Sequence, residues 1–178
     1  MSRQVKEIHT NGTACETAFF INNRGGYGVV CPFDRSLDCR GFYTEGIQSD
    51  KRYELEAVKK ALMIAMDIEG PCHVKIHTGT WFPIGALTIW LDKWRLNGWK
   101  TDVGNSVKNR HLIENIDDIM KNMSQYDKTV QLVHSRESLS NSFSQEAERL
   151  AKLATEENNV VELDSQSFLD TLNSYLRK

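Results

Sequence analysis

Neither a disulfide framework nor a cysteine-based metal site is written into this chain of 178 residues. Its four cysteines, Cys15, Cys31, Cys39 and Cys72, form no CxxC pair and show no Cys/His ligand spacing. They read as reduced thiols of an intracellular protein. Positive charge is not in excess either: 22 Lys and Arg stand against 24 Asp and Glu, a formal net charge of −2. No global field therefore attracts nucleic acid, and any such binding needs a local patch. The N-terminus, MSRQVKEIHTNG, lacks the apolar core of a secretory signal and is too short and too mixed in charge for a transit peptide. No apolar run reaches membrane-spanning length. Internal repeats and low-complexity segments are lacking too. The expected location is intracellular, nucleus or cytoplasm, with no membrane partner.

What is present is an ordinary globular composition, 40% apolar and 26% charged. The length suits one domain with a sizeable core. We expect a domain over residues 1–158 and a tail over 159–178. The most distinctive stretch runs from Trp90 to Asn109, WLDKWRLNGWKTDVGNSVKN, and holds three of the four tryptophans. Trp90 and Trp94 are four apart and share a face if helical. Asn97-Gly98 is a helix stop. Lys100 and Lys108 flank a polar loop. Rings beside cations suit a nucleic-acid backbone groove, while an aromatic pair at helical spacing equally suits a core.

Taken in order, Val5 to Thr10 reads as a strand halted by a turn or bulge at Asn11-Gly12. Ala18 to Asn22 continues it, Tyr27 to Cys31 is a second strand and Arg40 to Thr44 a third, together an antiparallel meander. From Arg52 the period becomes helical, with Leu55, Val58, Leu62, Ile64 and Ala65 apolar, and Gly70-Pro71 closes the helix. His73 to Thr78 is a fourth strand. Thr80 to Trp90 is helical after its start, with Pro83 in the first turn. Asn109 to Met123 is an amphipathic helix, Thr129 to Val133 a fifth strand, and Phe143 to Glu157 a helix. Strands that follow helices predict a mixed α/β sheet of five strands flanked by helices.

The pieces HTNGT (from His9), GGYGVV, SDKRYELEAVKKAL (from Ser49), KIHTGTWF, WLDKWRLNGWKT with VKN, VHSRES and EAERLAKLAT stand in one order along residues 5 to 157. In that order the chain resembles the type 1 ribonuclease H family, specifically its eukaryotic-like catalytic domain. The resemblance implies a ribonuclease H-like fold and two-metal hydrolysis of the RNA strand of an RNA–DNA hybrid, with four carboxylates holding two Mg²⁺ ions.

By that resemblance the four metal positions are Asn11, Glu54, Gly79 and Glu148, and the loop histidine is His134. Two carboxylates have become a carboxamide and a glycine, and a third is one methylene longer. The expectation is therefore a catalytically inactive domain, a pseudo-enzyme whose ancestral Mg²⁺ site is lost and which needs no cofactor. Its expected role is a protein-interaction scaffold in a nucleic-acid-related complex. One alternative is a non-cleaving binder of RNA–DNA hybrid or single strands. Another is a weakly active hybrid ribonuclease. His9 and Asn11 point the same way on the first strand, as do positions 77 and 79 on the fourth. Family strand order puts His9 beside His77, so with Glu54 they could hold Zn²⁺ or Mn²⁺, or they could simply fill space taken by aromatic residues in the family.

The resemblance also implies a nucleic-acid groove formed by Phe82, Trp90, Trp94, Lys100, Asn109 and Ser49. Against this, Ile47 stands at an arginine position, Asp50-Lys51 replaces a base-reading Asn-Gln pair, and Asp102 adds a carboxylate that repels phosphate. In the tail, Asp164-Ser165 could cap a helix whose apolar face is Phe168, Leu169, Leu172 and Leu176. It is too short to stand alone. It is expected to dock on its own domain, a second copy or a protein partner, so a homodimer is one possible state.

Overall fold

The computed structural model describes residues 4–15, 24–43, 49–135 and 142–158. The strand expected over 18–22, Ile47 and the tail face at Phe168, Leu169, Leu172 and Leu176 lie outside the described residues. Strands β1 (Gln4–Cys15), β2 (Arg24–Val30), β3 (Cys39–Gly41), β4 (Cys72–Thr78) and β5 (Lys128–His134) form one sheet in the order β3-β2-β1-β4-β5. β1 to β3 are antiparallel neighbours, whereas β4 pairs parallel to both β1 and β5. The mixed sheet and the meander expected from the chain order are both present.

The side chains alternate along β1 and divide the molecule into two layers. Ile8 enters the main core with Val74 and Ile76 of β4. That core is closed by α1 (Asp50–Asp67) and α4 (Arg110–Asn122), through residues such as Leu55, Val58, Leu62, Ile113 and Ile116. His9 faces the opposite side, where its ring meets Phe143 of α5, residues 142–158. Val30, Ala147 and Leu150 form a smaller core on that side.

Two helix boundaries have local causes. α1 begins earlier than the apolar period suggests, because Ser49 is extended and its hydroxyl accepts from the Arg52 N–H at 3.3 Å. α4 follows Asn109, which holds a left-handed φ of 60°. The tryptophan segment splits into α2 (Phe82–Thr88) and α3 (Leu91–Leu96), with Pro83 in the first turn of α2. The stop at Asn97-Gly98 holds, with Gly98 at φ 71°.

One element differs from its sequence reading. Asn11-Gly12 is not a turn: β1 continues through it to Cys15, paired with β2. The glycine is needed for a different reason. A Cβ at position 12 would overlap the backbone of Tyr53 and Glu54, so α1 crosses the strand in direct backbone contact. The same device seats α5. A Cβ at Gly28 would overlap the Ala147 carbonyl oxygen, and Ala147, Ala151 and Ala154 keep that helix side small.

Gly28→Ala therefore forces α5 away from β2. We expect a loss of ~1–3 kcal/mol, the usual range for overpacking, read as a lower urea midpoint with unchanged slope.

Candidate active site and nucleic-acid groove

Beyond the His9–His77 register pair, β1 and β4 bring Asn11 and Gly79 together at one end of the sheet. α1 contributes Glu54 there and α5 contributes Glu148. The four positions flagged from sequence thus converge: Asn11, Glu54 and Glu148 line one open cleft of about 560 Å³, together with Lys51, Phe82 and Lys152. Gly79 adjoins it, and a Cβ at that position would overlap the Asn11 carboxamide nitrogen. The carboxamide fills the room that a longer side chain at position 79 would need.

Glu54 is 6% exposed, and its Oε2 accepts a hydrogen bond from Thr80 Oγ1 at 2.7 Å. Burial raises its pKa to about 7; the Thr80 bond opposes that shift and Asp50 adds to it. Glu148 is half exposed and meets Lys152 Nζ at 2.6 Å, one helical turn along α5. Lys51 Nζ stands 5.2 Å from the centre of the Phe82 ring. The cleft therefore carries three acids, Asp50, Glu54 and Glu148, of which Glu54 is able to change protonation near neutral pH, and two ammonium groups, Lys51 and Lys152, suited to phosphate.

A chain of rings leads away from the cleft. Phe82 and Trp90 are 6.3 Å apart, Trp90 and Trp94 5.7 Å, and Trp94 and Trp99 6.3 Å. Trp90 and Trp94 are half-buried and pack on the main core, whereas Trp99 is almost fully enclosed. The core reading and the groove reading of this stretch both hold, for different faces of the same rings. Lys100 is exposed, at a loop braced by paired hydrogen bonds with Asn97. Ser49 lines the cleft with its hydroxyl committed to capping α1. Asn109 stands at the start of α4 and is not among the cleft-lining residues. His134 ends β5 opposite Thr78 and is half-buried, but it is not among the cleft-lining residues.

The sequence reading missed three members of the site. Lys152 was legible as a partner of Glu148 from its i, i+4 spacing. Thr80 follows the missing fourth-strand acid by one position. Trp81, 48% exposed, stands 6.4 Å from Trp90 and extends the ring chain. Of the two acids expected to repel phosphate, Asp50 lines the cleft and accepts from the Ala14 N–H at 2.5 Å, and Asp102 pairs with Lys93 at 2.5 Å.

A model of the RNase H family matches residues 3–156. The chain belongs to the RNase H family. It is 28% identical over 155 residues to a protein named Ribonuclease H from Clostridium botulinum, a match covering 86% of this chain and 97% of that protein. Among solved structures, LC9-RNase H1, described as a type 1 RNase H with the type 2 active-site motif, superposes with a TM-score of 0.67 at 17% identity, covering 89% of this chain and 75% of that one. The foamy viral protease-reverse transcriptase in complex with RNA/DNA hybrid gives 0.66 at 23% identity, over 84% of this chain and 20% of that one. These likenesses agree with the mixed five-stranded sheet and its flanking helices.

The expectation of a non-catalytic domain is overturned by these relatives. Members matched along nearly their whole length carry the name Ribonuclease H and point to an enzyme. The inference from missing carboxylates failed because it equated a thinner ligand set with none. Mg²⁺ keeps several waters and is commonly held by one or two carboxylates completed by substrate phosphate. The hard oxygen donors of Glu54, Glu148 and Asn11 fit one such ion. They do not fit a pair held in a cage of four acids: among the described residues, no three acid, histidine or cysteine ligand atoms at the cleft lie within 4.8 Å of one another.

The raised pKa of Glu54 has a sign. The folded chain holds this proton while the unfolded chain releases it near 4.5. The native state binds more protons, so this group's contribution to stability is lost as pH rises from about 4.5 to about 7. Glu54→Gln removes the penalty and keeps an acceptor for Thr80. We expect the variant to gain stability over the parent across that window, by on the order of 3 kcal/mol at the plateau, measured by urea denaturation at pH 4 and pH 8.

Proposed function

We propose that this chain is an RNA–DNA hybrid ribonuclease that works with a reduced set of acids. The observation that carries this reading is the convergence of Glu54 from α1 and Glu148 from α5 in a cleft that also holds Lys51 and Lys152. The relative named Ribonuclease H supports the substrate class, as does the foamy viral neighbour in complex with RNA/DNA hybrid.

In this reading Phe82, Trp90 and Trp94 support one strand by ring contact with sugars and bases. Lys51 and Lys152 draw a backbone phosphate into the cleft. Glu54 and Glu148, with the Asn11 oxygen, are the residues that would hold a single divalent cation beside that phosphate. When bound, the cation supplies Lewis-acid polarisation of the phosphate and lowers the pKa of its water. Asn11 offers an oxygen without charge and Gly79 offers none, so a cation would be held weakly. Each missing charge contact is worth ~1–4 kcal/mol at effective dielectrics of 20–80. The reading therefore demands high Mg²⁺ or Mn²⁺.

The test is release of labelled RNA fragments from a hybrid, across a titration of Mg²⁺ and Mn²⁺. We expect slow cleavage that rises with metal concentration and disappears in Glu54→Gln. The double variant Asn11→Asp/Gly79→Asp, which restores two acids, should cleave at least about tenfold faster, equivalent to ~1.4 kcal/mol. Absence of cleavage in both the parent and the restored variant would sink this reading. Binding gives an independent outcome: Lys51→Ala/Lys152→Ala should weaken hybrid affinity and flatten the salt slope by about two. An unchanged slope would remove these lysines from the groove.

A further inference from the structure

Below the cleft, on the same side of the sheet, lies a polar cluster that the hybrid reading does not use. Glu7 and His9 are two apart on β1 and share its α5 side. His77 is the direct register partner of His9 on β4. The two imidazoles stack with centroids 4.3 Å apart and planes 11° apart. His77 Nε2 lies 3.9 Å from Glu7 Oε2. One potential ligand atom from each of the three residues lies within 4.8 Å of the other two.

We propose that Glu7, His9 and His77 form a binding site for a single borderline divalent cation of the Zn²⁺ class. Two imidazoles and one carboxylate are a recurrent ligand set for such an ion, leaving a fourth position for water. The sequence pointed to the histidine pair but paired it with Glu54. The structure replaces that acid with Glu7, because Glu54 sits at the end of the sheet while the histidines lie one side-chain step further in. The site rests on geometry apart from the hybrid cleft and stands or falls without it.

Two further features suit a cation. His9 Nδ1 and Ser144 Oγ are 3.0 Å apart. In the tautomer that donates this Nδ1–H to serine, Nε2 is the unprotonated nitrogen, and the serine orients the ring from behind, as partners of metal-bound imidazoles usually do. The Glu7 side chain is 47% exposed and gives the ion a path from solvent, while the histidines are enclosed. A tetrahedral site with bonds of ~2.0–2.1 Å needs the ligand atoms to close to ~3.3 Å. Closing the set requires the stacked rings to turn about χ2, a broad torsion, until their in-plane lone pairs converge.

The experiment uses the full, untagged chain freed of metal by chelation. It is titrated with Co²⁺, followed by the visible bands of histidine-bound Co²⁺, and then with Zn²⁺ as competitor. We expect one equivalent of Co²⁺, displaced by one equivalent of Zn²⁺. Glu7→Gln should weaken binding at least about tenfold, and His77→Phe should abolish it. His73→Asn and Glu54→Gln should leave it unchanged. Circular dichroism establishes that each variant is folded. Should His77→Phe fail to fold, the half-exposed Glu7→Gln decides. Failure to form a stoichiometric Co²⁺ complex overturns the proposal, as does a complex that Glu7→Gln leaves at full affinity. Loss of binding in Glu54→Gln would instead assign the ion to the cleft.

Discussion

The parallel pairing of β1 with β4 is the constraint on which the rest of this molecule depends. With His9 opposite His77, every later placement on these strands follows. Ile8 and Ile76 enter the core under α1, and the intervening residues turn toward α5. One step beyond the last paired residues, Asn11 meets Gly79 where two helices deliver Glu54 and Glu148. A slip of one residue would exchange the two faces of the strand and bury polar groups in the main core. Buried Ile8, Val74 and Ile76 therefore hold the register that assembles both polar sites.

Within the cleft, charge is nearly balanced without an added ion. Lys152 compensates Glu148, Lys51 on the same cleft offsets Asp50, and burial keeps Glu54 partly protonated near neutral pH. A cleft with four ionised acids in the same space would hold strong mutual repulsion, which bound cations relieve. This chain has removed much of that repulsion by using Asn11 and Gly79. The consequence is a trade between two properties. The apo fold is relieved of like-charge repulsion, while the cleft has less potential with which to gather a cation. In the proposed function, substrate phosphate then completes the binding set, alongside Lys51 and Lys152.

Much of this architecture was legible from periodicity. The 3.6-residue pattern over Leu55 to Ala65 located α1, β-branched and alternating residues located β4 and β5, and the order of elements implied the mixed sheet. The convergence of Asn11, Glu54, Gly79 and Glu148 was legible only through family resemblance, since residues from two strands and two helices share no local pattern. Local rules misread Asn11-Gly12, because the glycine answers a tertiary demand, the crossing of α1, rather than a turn. Nor did they supply the partners of Asp50 and Asp102, the Ala14 amide and Lys93, which come from other segments of the chain. Glu7 was passed over for a related reason: an exposed acid in a charged strand has no signature until its neighbour across the ladder is known.

Donor chemistry separates the cleft from the histidine cluster, although both lie on one side of β1. Oxygen donors at the cleft suit a hard cation, and imidazole at His9 and His77 suits a borderline one. Proximity nevertheless couples them. Asn11 follows His9 by two residues, a rise of roughly 7 Å along a strand. Two divalent ions at that separation repel by ~2 kcal/mol even at the dielectric constant of water, and more in a partly buried setting. The Glu7 carboxylate offsets part of this. An ion on the histidine pair would therefore raise the concentration of Mg²⁺ needed at the cleft, and a filled cleft would loosen the ion below. This coupling follows from charge and distance alone and requires no movement of the fold. The register that brings His9 against His77 sets both the identity of the second site and its influence on the first.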